Sequence, residues 1–335
     1  MRKLKITFMF SYFFIKKHLK FKLNIKEDIY HMYIDGHCDT LSETLDNNNK
    51  ISNIQYCFNT IDAKQLAPVI QMSAAFINPE FENGFERANN IIDYYLKNMG
   101  NTVVIKNKKD IQYVIKQKKI GIVLTIENGK AIESDLNNID KLYKKGVRLM
   151  SINWNEDNLL GTGALTKSTV GLTELGKEYV KRLEQKNIII DISHSSEQTF
   201  WDTIKNTTGT IVATHSNCYS ICNHPRNLTD EQIKAIAKRN GIIGICLCSS
   251  FLKKEGKANV TDIIKHIKHI INLVGIDYIG LGTDFDGVEE EHKLSDIKGI
   301  KNMPILINEL RKSGYLEDQI DKIMGENWLR VISKI

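Results

Sequence analysis

The sequence predicts an α/β fold of the (β/α)8, TIM-type barrel class, and three observations carry that prediction. Short apolar, β-branched runs recur along the chain, and each is followed by a stretch with the amphipathic period of a helix. There are eight such runs, at 33–39, 69–77, 121–127, 147–153, 188–194, 210–215, 242–248 and 278–284. Between 33 and 335 nothing reads as a linker, a repeat or a charge block, so one domain holds all eight. Strict alternation over this length fits a closed barrel better than an open doubly wound sheet, although periodicity alone does not choose between them.

The individual elements agree with this reading. Runs such as Ile188-Ile189-Ile190 are unbroken in hydrophobics, as strands covered on both faces are. Helix starts are marked by Ser195-Ser196-Glu197-Gln198 and Thr229-Asp230-Glu231-Gln232, both of which fit a capping box. Pro225 falls in the loop between them.

The formal charge of +6 comes from 46 basic and 40 acidic residues, and its location decides what it means. Eight of the basic residues and two of the acidic ones fall within 1–32, so the body carries 38 of each and has no footprint for a nucleic acid. Residues 1–32 read as a basic N-terminal extension, disordered or non-native. They contain an apolar run at 6–15, too short to span a bilayer and without a small-residue cleavage site, so membrane association is not expected. The six cysteines form no CxxC pair and read as thiols of a reducing compartment, which makes the expected location cytoplasmic.

Metal-competent side chains gather at the C-terminal ends of the predicted strands. His37 and Asp39 end the first, Glu127 the third, His194 the fifth, His215 the sixth and Asp284 the eighth. Taken singly, each is explained as well by a helix cap or a satisfied loop. In a barrel, however, all strand ends meet at one face, so the six converge on one pocket. Three imidazoles and three carboxylates suit a pair of Zn2+ ions. His37 and Asp39, two apart on a strand, serve one ion with Glu127 and Asp284. His194 and His215 serve the other, with Glu127 between. Other conspicuous groups read as inert. His266 and His269 lie on a Lys-rich helix and read as solvent-facing, residues 289–292 as a solvated acidic loop rather than a shaper of the pocket rim, and Cys38 as pointing away from its neighbours.

Several segments together resemble the membrane (renal) dipeptidase family of zinc metallopeptidases. Asp35-Gly36-His37-Cys38-Asp39 is similar to its D-G-H-x-D opening. Asp191-Ile192-Ser193-His194, His215-Ser216-Asn217, His224-Pro225-Arg226-Asn227 and Gly282-Thr283-Asp284-Phe285-Asp286-Gly287 resemble its later blocks in the same order, and Gly325 to Arg330 resembles its last helix. The resemblance implies a metallo-dependent hydrolase-like barrel that cleaves dipeptides through a metal-bridging hydroxide. It implies His37, Asp39, Glu127, His194 and His215 as ligands of two Zn2+ per chain, with Glu127 bridging. Asp284 is implied as a metal contact and the catalytic proton shuttle, and Arg226 as the receiver of the substrate's carboxylate, a task suited to a guanidinium fork. Its partners would be a dipeptide substrate and, as in relatives, a second copy in a homodimer. Two positions depart from the best-known members. Trp154 stands where they carry a substrate-binding His, and an indole can donate one hydrogen bond but cannot become cationic. Asn128 replaces the glycine after the bridging Glu, so that loop is expected to take another course. Competing readings are another binuclear metal hydrolase acting on an N-acyl amino acid, lactone or phosphoester, and a non-catalytic peptide-binding relative.

Overall fold

The computed structural model describes residues 32–335. The basic N-terminal extension read from the sequence lies, except for Met32, outside the described residues. Eight parallel strands run in chain order: β1 (Tyr33–Cys38), β2 (Val69–Phe76), β3 (Ile120–Glu127), β4 (Val147–Ser151), β5 (Ile189–Asp191), β6 (Ile211–Val212), β7 (Ile243–Ile245) and β8 (Ile279–Leu281). Their lateral order is β6-β5-β4-β3-β2-β1-β8-β7. A parallel bridge between Ala213 and Ile243 joins the two ends of that row. There the Ala213 amide donates to the Ile242 carbonyl at 3.1 Å and the Gly244 amide to Ala213 at 2.8 Å, which closes the barrel. One further strand, Val103–Val104, pairs with β3 off the ring. The sequence reading did not contain it, because two residues are too few to show a period.

The later strands are shorter than the sequence suggests, for a physical reason. Side chains take over the ladder where it reaches the mouth of the barrel. The Asn217 amide accepts from the Cys246 amide nitrogen at 3.1 Å and donates to the Cys246 carbonyl at 3.0 Å. Carboxylates of Asp35 and Asp191 accept from the backbone amides of Thr283 and Thr214. Buried backbone groups are thereby satisfied without a regular strand.

The barrel interior is filled by Ile34, Ile70, Met72, Val123, Leu149 and Ile189, among others, around Trp328. Trp328 comes from the C-terminal helix Asn327–Ile332, and its Nε1 donates to the Leu281 carbonyl at 2.7 Å. It also fixes a motif residue, since a Cβ on Gly36 would lie 2.4 Å from the Trp328 ring and 2.9 Å from the Thr214 carbonyl oxygen. The glycine between Asp35 and His37 is therefore required by packing, and truncating Trp328 to alanine costs about 3–5 kcal/mol.

Helices cover the outside with their apolar faces. Two helix-level expectations are corrected. The helix Glu197–Asn206 is capped by Ser196, which accepts from the Thr199 amide at 3.1 Å, one residue later than read, because Ser195 is held in a bridge to Gly163. The second start stands as a capping box between Thr229 and Gln232. On the helix Val260–Val274, His266 does not face solvent: it shares the buried face of Ile263, Ile267 and Ile270. Its Nδ1 accepts from the Cys218 amide and its Nε2 donates to the Leu252 carbonyl, both at 3.0 Å, which ties a loop and the end of the short helix Ser249–Leu252 to this helix. Among the described residues no helix is long and apolar enough to cross a membrane.

Candidate metal centre

Six side chains singled out from the sequence meet at the C-terminal mouth of the barrel. His37 and Glu127 belong to β1 and β3, whereas Asp39, His194, His215 and Asp284 lie one to three residues past the last paired residue of their strands. That is a correction to the strand-end placement. His194 and Asp284 have φ values of 69° and 63°, and this left-handed backbone turns their side chains over the barrel axis. Glu127 stands at the centre. Its Oε2 is 3.3 Å from His37 Nε2, and its Oε1 is 2.9 Å from His194 Nε2 and 3.7 Å from His215 Nε2. His37 Nε2 is also 3.3 Å from Asp39 Oδ2 and 3.7 Å from Asp284 Oδ1.

Supporting residues that the sequence reading left without a role hold this arrangement. Asp35 accepts from the Thr283 amide (2.8 Å) and hydroxyl (2.6 Å), fixing the residue before Asp284. Asp191 accepts from the Thr214 amide (2.9 Å) and hydroxyl (2.5 Å), fixing the residue before His215. Asn155 Oδ1 lies 2.8 Å from His194 Nδ1. The second aspartate of the Asp284-Phe285-Asp286 run turns away from the cluster, accepting from Thr40 Oγ1 and the Cys57 amide at 2.6 Å each. A Cβ on the following Gly287 would lie 2.2 Å from Asp39 Oδ2, so a larger residue would push into the cluster. Asn128 holds a φ of 75°, with its side chain donating to the Ile77 carbonyl at 2.8 Å and accepting from the Lys130 amide at 3.1 Å. An asparagine tolerates this backbone where most residues would strain it. Cys38 turns its thiol to Ser73 and Thr40, outside the cluster. Glu289 and His292 line the cavity, so the loop read as simply solvated reaches the pocket rim.

The charges and lone pairs show whether a cation fits. Burial opposes a charge on His37, but Glu127 and Asp39 raise its pKa well above the ordinary imidazole value. Asp39 is pushed well up by burial and then by Glu127. Burial also raises Asp284. Glu127 is held well down despite burial, chiefly by His37. Burial, and next Arg226, lower His194 to about 3; burial and then His37 lower His215 well below its usual value, so both are neutral near pH 7. The Thr214 hydroxyl gives its one proton to Asp191 and so accepts from His215 Nδ1 at 2.8 Å. His194 Nδ1 likewise donates to Asn155. Both neutral rings therefore turn Nε2 lone pairs inward, and these atoms are 2.7 Å apart. Two facing lone pairs repel unless a cation lies between or beside them. His37 Nε2 and Asp39 Oδ1 are buried without a hydrogen-bond partner, as atoms reserved for coordination are. The donor set thus fits divalent cations that take nitrogen and oxygen ligands.

The cluster floors a cavity of about 740 Å³. Arg226 and Trp154, the two substrate-contact candidates, both line it. Arg226 is 3% exposed, its Nε has no hydrogen-bond partner, and among the described residues no carboxylate pairs with it. Its Nη2 donates at 3.4 Å to the His215 carbonyl, and its guanidinium lies 5.5 Å from the Phe251 ring centre. A buried, unpaired guanidinium is costly and is a receptor for an anion. Trp154 lies over His194, ring centres 5.9 Å apart and planes within 28°, and packs against Phe76 at 5.4 Å.

A closed barrel with histidines and carboxylates converging at its C-terminal mouth defines a metal-dependent hydrolase. The family model "Membrane dipeptidase (Peptidase family M19)" matches residues 25–335. An uncharacterized protein in the pqqA 5' region of Klebsiella pneumoniae is 36% identical over 236 residues, which cover 68% of this chain and 86% of that one. Two solved structures share the fold. Dipeptidase AC, an M19 metallopeptidase, has a TM-score of 0.83 at 24% identity, over 91% of this chain and 98% of its own. A metallopeptidase from Rhodobacter sphaeroides, liganded with a phosphinate mimic of the dipeptide L-Ala-D-Ala, has a TM-score of 0.82 at 22% identity, over 91% and 99%. The chain belongs to the membrane dipeptidase family and is a metallodipeptidase.

Proposed function

We propose that this chain hydrolyses dipeptides at a centre of two zinc ions. His37, Asp39 and Glu127 hold one ion, His194, His215 and Glu127 the other, and Asp284 contacts the first. The observation that carries the reading is Glu127, whose two oxygens lie 3.3 Å and 2.9 Å from imidazoles on opposite sides of the barrel. When bound, such ions would supply Lewis-acid polarisation of the scissile carbonyl and would lower the pKa of a water molecule towards neutrality.

The chain's own residues supply the rest. Arg226 takes the free carboxylate of the dipeptide on its unpartnered Nε edge, which sets the distance from that carboxylate to the bond cleaved and makes longer peptides poor substrates. Asp284, with Oδ1 facing His37 and Oδ2 accepting from the Cys246 thiol at 3.5 Å, takes the proton of the attacking water and delivers it to the departing amine nitrogen. Trp154 gives the carbonyl oxygen no cationic partner, so stabilisation of the developing oxyanion falls to the metal side of the cavity. All six cysteines are free thiols, which supports a reducing, cytoplasmic setting.

The test is a substrate panel on the purified chain before and after chelation. Ala-Ala turnover is expected to vanish on chelation and return with zinc, while N-acetyl-alanine, a lactone and a phosphomonoester stay uncleaved. Asp284→Asn is expected to lower kcat by about 10²–10⁴-fold with Ala-Ala. Preferential turnover of a non-peptide substrate would overturn the reading, and full activity of Asp284→Asn would remove that residue from it.

A further inference from the structure

The cavity has two unlike walls. Arg226 follows β6 and Phe251 follows β7, while Phe76 ends β2 and Trp154 follows β4. In an eight-stranded ring β6 and β7 stand across the axis from β2 to β4, so the cation and this aromatic pair face each other over the metal cluster. The β2 to β4 wall is extended by Phe81 and Leu165, which line the same cavity and are 42% and 50% exposed. Large apolar side chains left open on a concave wall mark a surface that a ligand covers. The cation beside them is already matched, since Arg87 pairs with Asp46 at 2.7 Å and lies 4.8 Å over the Phe81 ring. The wall therefore offers area rather than charge.

We infer that this wall is the pocket for the side chain of the substrate's N-terminal residue, and that the enzyme prefers dipeptides beginning with a bulky apolar or aromatic residue. The inference rests on the dipeptidase reading above. With the carboxylate on Arg226 and the scissile carbonyl over the cluster, the first residue extends away from Arg226 across the axis, where Trp154, Phe76, Phe81 and Leu165 offer the apolar part of the cavity lining. The rings present stacking faces, and Trp154 is itself braced by Phe76 and His194. An aliphatic or aromatic side chain gains more there than the methyl group of alanine, by an amount that hydrophobic pockets turn into about tenfold or more in kcat/KM.

The experiment compares Phe-Ala, Leu-Ala, Ala-Ala and Ala-Phe on the zinc-loaded chain, together with calorimetric binding of non-cleavable phosphinate analogues of Phe-Ala and Ala-Ala. Phe-Ala and Leu-Ala are expected to exceed Ala-Ala by about tenfold or more in kcat/KM, with Ala-Phe gaining less, and the Phe-Ala analogue is expected to bind more tightly by a similar factor. Phe81→Ala combined with Leu165→Ala is expected to shrink that ratio, and a thermal melt confirms that the variant is folded. Ala-Ala turnover with a Phe-Ala to Ala-Ala ratio within twofold of one overturns the inference and leaves the dipeptidase reading standing. No turnover of any dipeptide overturns both.

Discussion

On the β1–β8 side of the cavity two carboxylates and one imidazole crowd together, whereas on the β5–β6 side two imidazoles do. Both sides rest on the same device. A buried aspartate, Asp35 or Asp191, accepts from the amide and the hydroxyl of a threonine on the neighbouring strand, and the residue after that threonine enters the site. The difference lies in what the threonine does next. Thr214 Oγ1 also touches the His215 ring at 2.8 Å, while Thr283 Oγ1 meets only backbone, the His37 carbonyl and the Phe285 amide. A carboxylate offers lone pairs in any rotation, but an imidazole coordinates only if the other nitrogen carries the proton. The clamp therefore reaches the ring where a tautomer must be fixed and stops at the backbone where it need not.

Acid sharpens this comparison only after the scaffold's own titration is removed, and His266, which belongs to neither side, has the largest expected effect. Burial lowers its pKa to about 4, and the unfolded chain holds it near the ordinary imidazole value of about 6.5. The unfolded state thus takes up the proton first, so stability is full above the unfolded value and falls as the pH drops from there towards 4. The loss reaches up to about 3 kcal/mol. Urea unfolding of the wild type and His266→Gln at pH 7.5 and pH 4.5 checks this. The variant is expected to be less stable at the higher pH and to lose less on acidification; parallel losses would show that His266 does not titrate in this way.

Thr214→Val breaks the tautomer clamp directly. Zinc affinity is expected to fall about 10–100-fold, as it does when the partner of a ligating imidazole is removed, and Thr214→Ser is expected to restore it. Thr283→Val is the matched change on the other side, and it is expected to cost about 1–3 kcal/mol of stability with a smaller change in zinc affinity. Competition titrations with a chelator measure both, and equal losses of affinity would erase the distinction between the two sides.

Much of the centre was legible in the sequence because its residues are polar interruptions at the ends of apolar runs, and a barrel brings such ends together. His37, Asp39, Glu127, His194, His215 and Asp284 all meet at that mouth, four of them one to three residues past the paired strands rather than on them. The turns that aim them were not legible, since His and Asp adopt a left-handed φ more readily than most residues but still only in a minority of cases, so the residue type alone does not mark it. Nor were the clamps, because Asp35 with Thr283 and Asp191 with Thr214 are pairings across strands. His266 is a different case. Its spacing to Ile263, Ile267 and Ile270 is that of one helix face, but the lysines around it masked the pattern. Asn128 keeps a positive φ, as an asparagine standing in for a glycine can, but the hydrogen bonds that hold it were not legible.

Counting zinc per chain during a titration, with Ala-Ala turnover followed in parallel, tests the shared role of Glu127 most directly when wild type and Glu127→Ala are compared. Wild type should reach full turnover at two ions per chain, and the variant should retain neither tight site because both lose a ligand at once. A wild-type enzyme fully active with one ion, or a variant that keeps one site at wild-type affinity, would contradict a carboxylate shared between two cations.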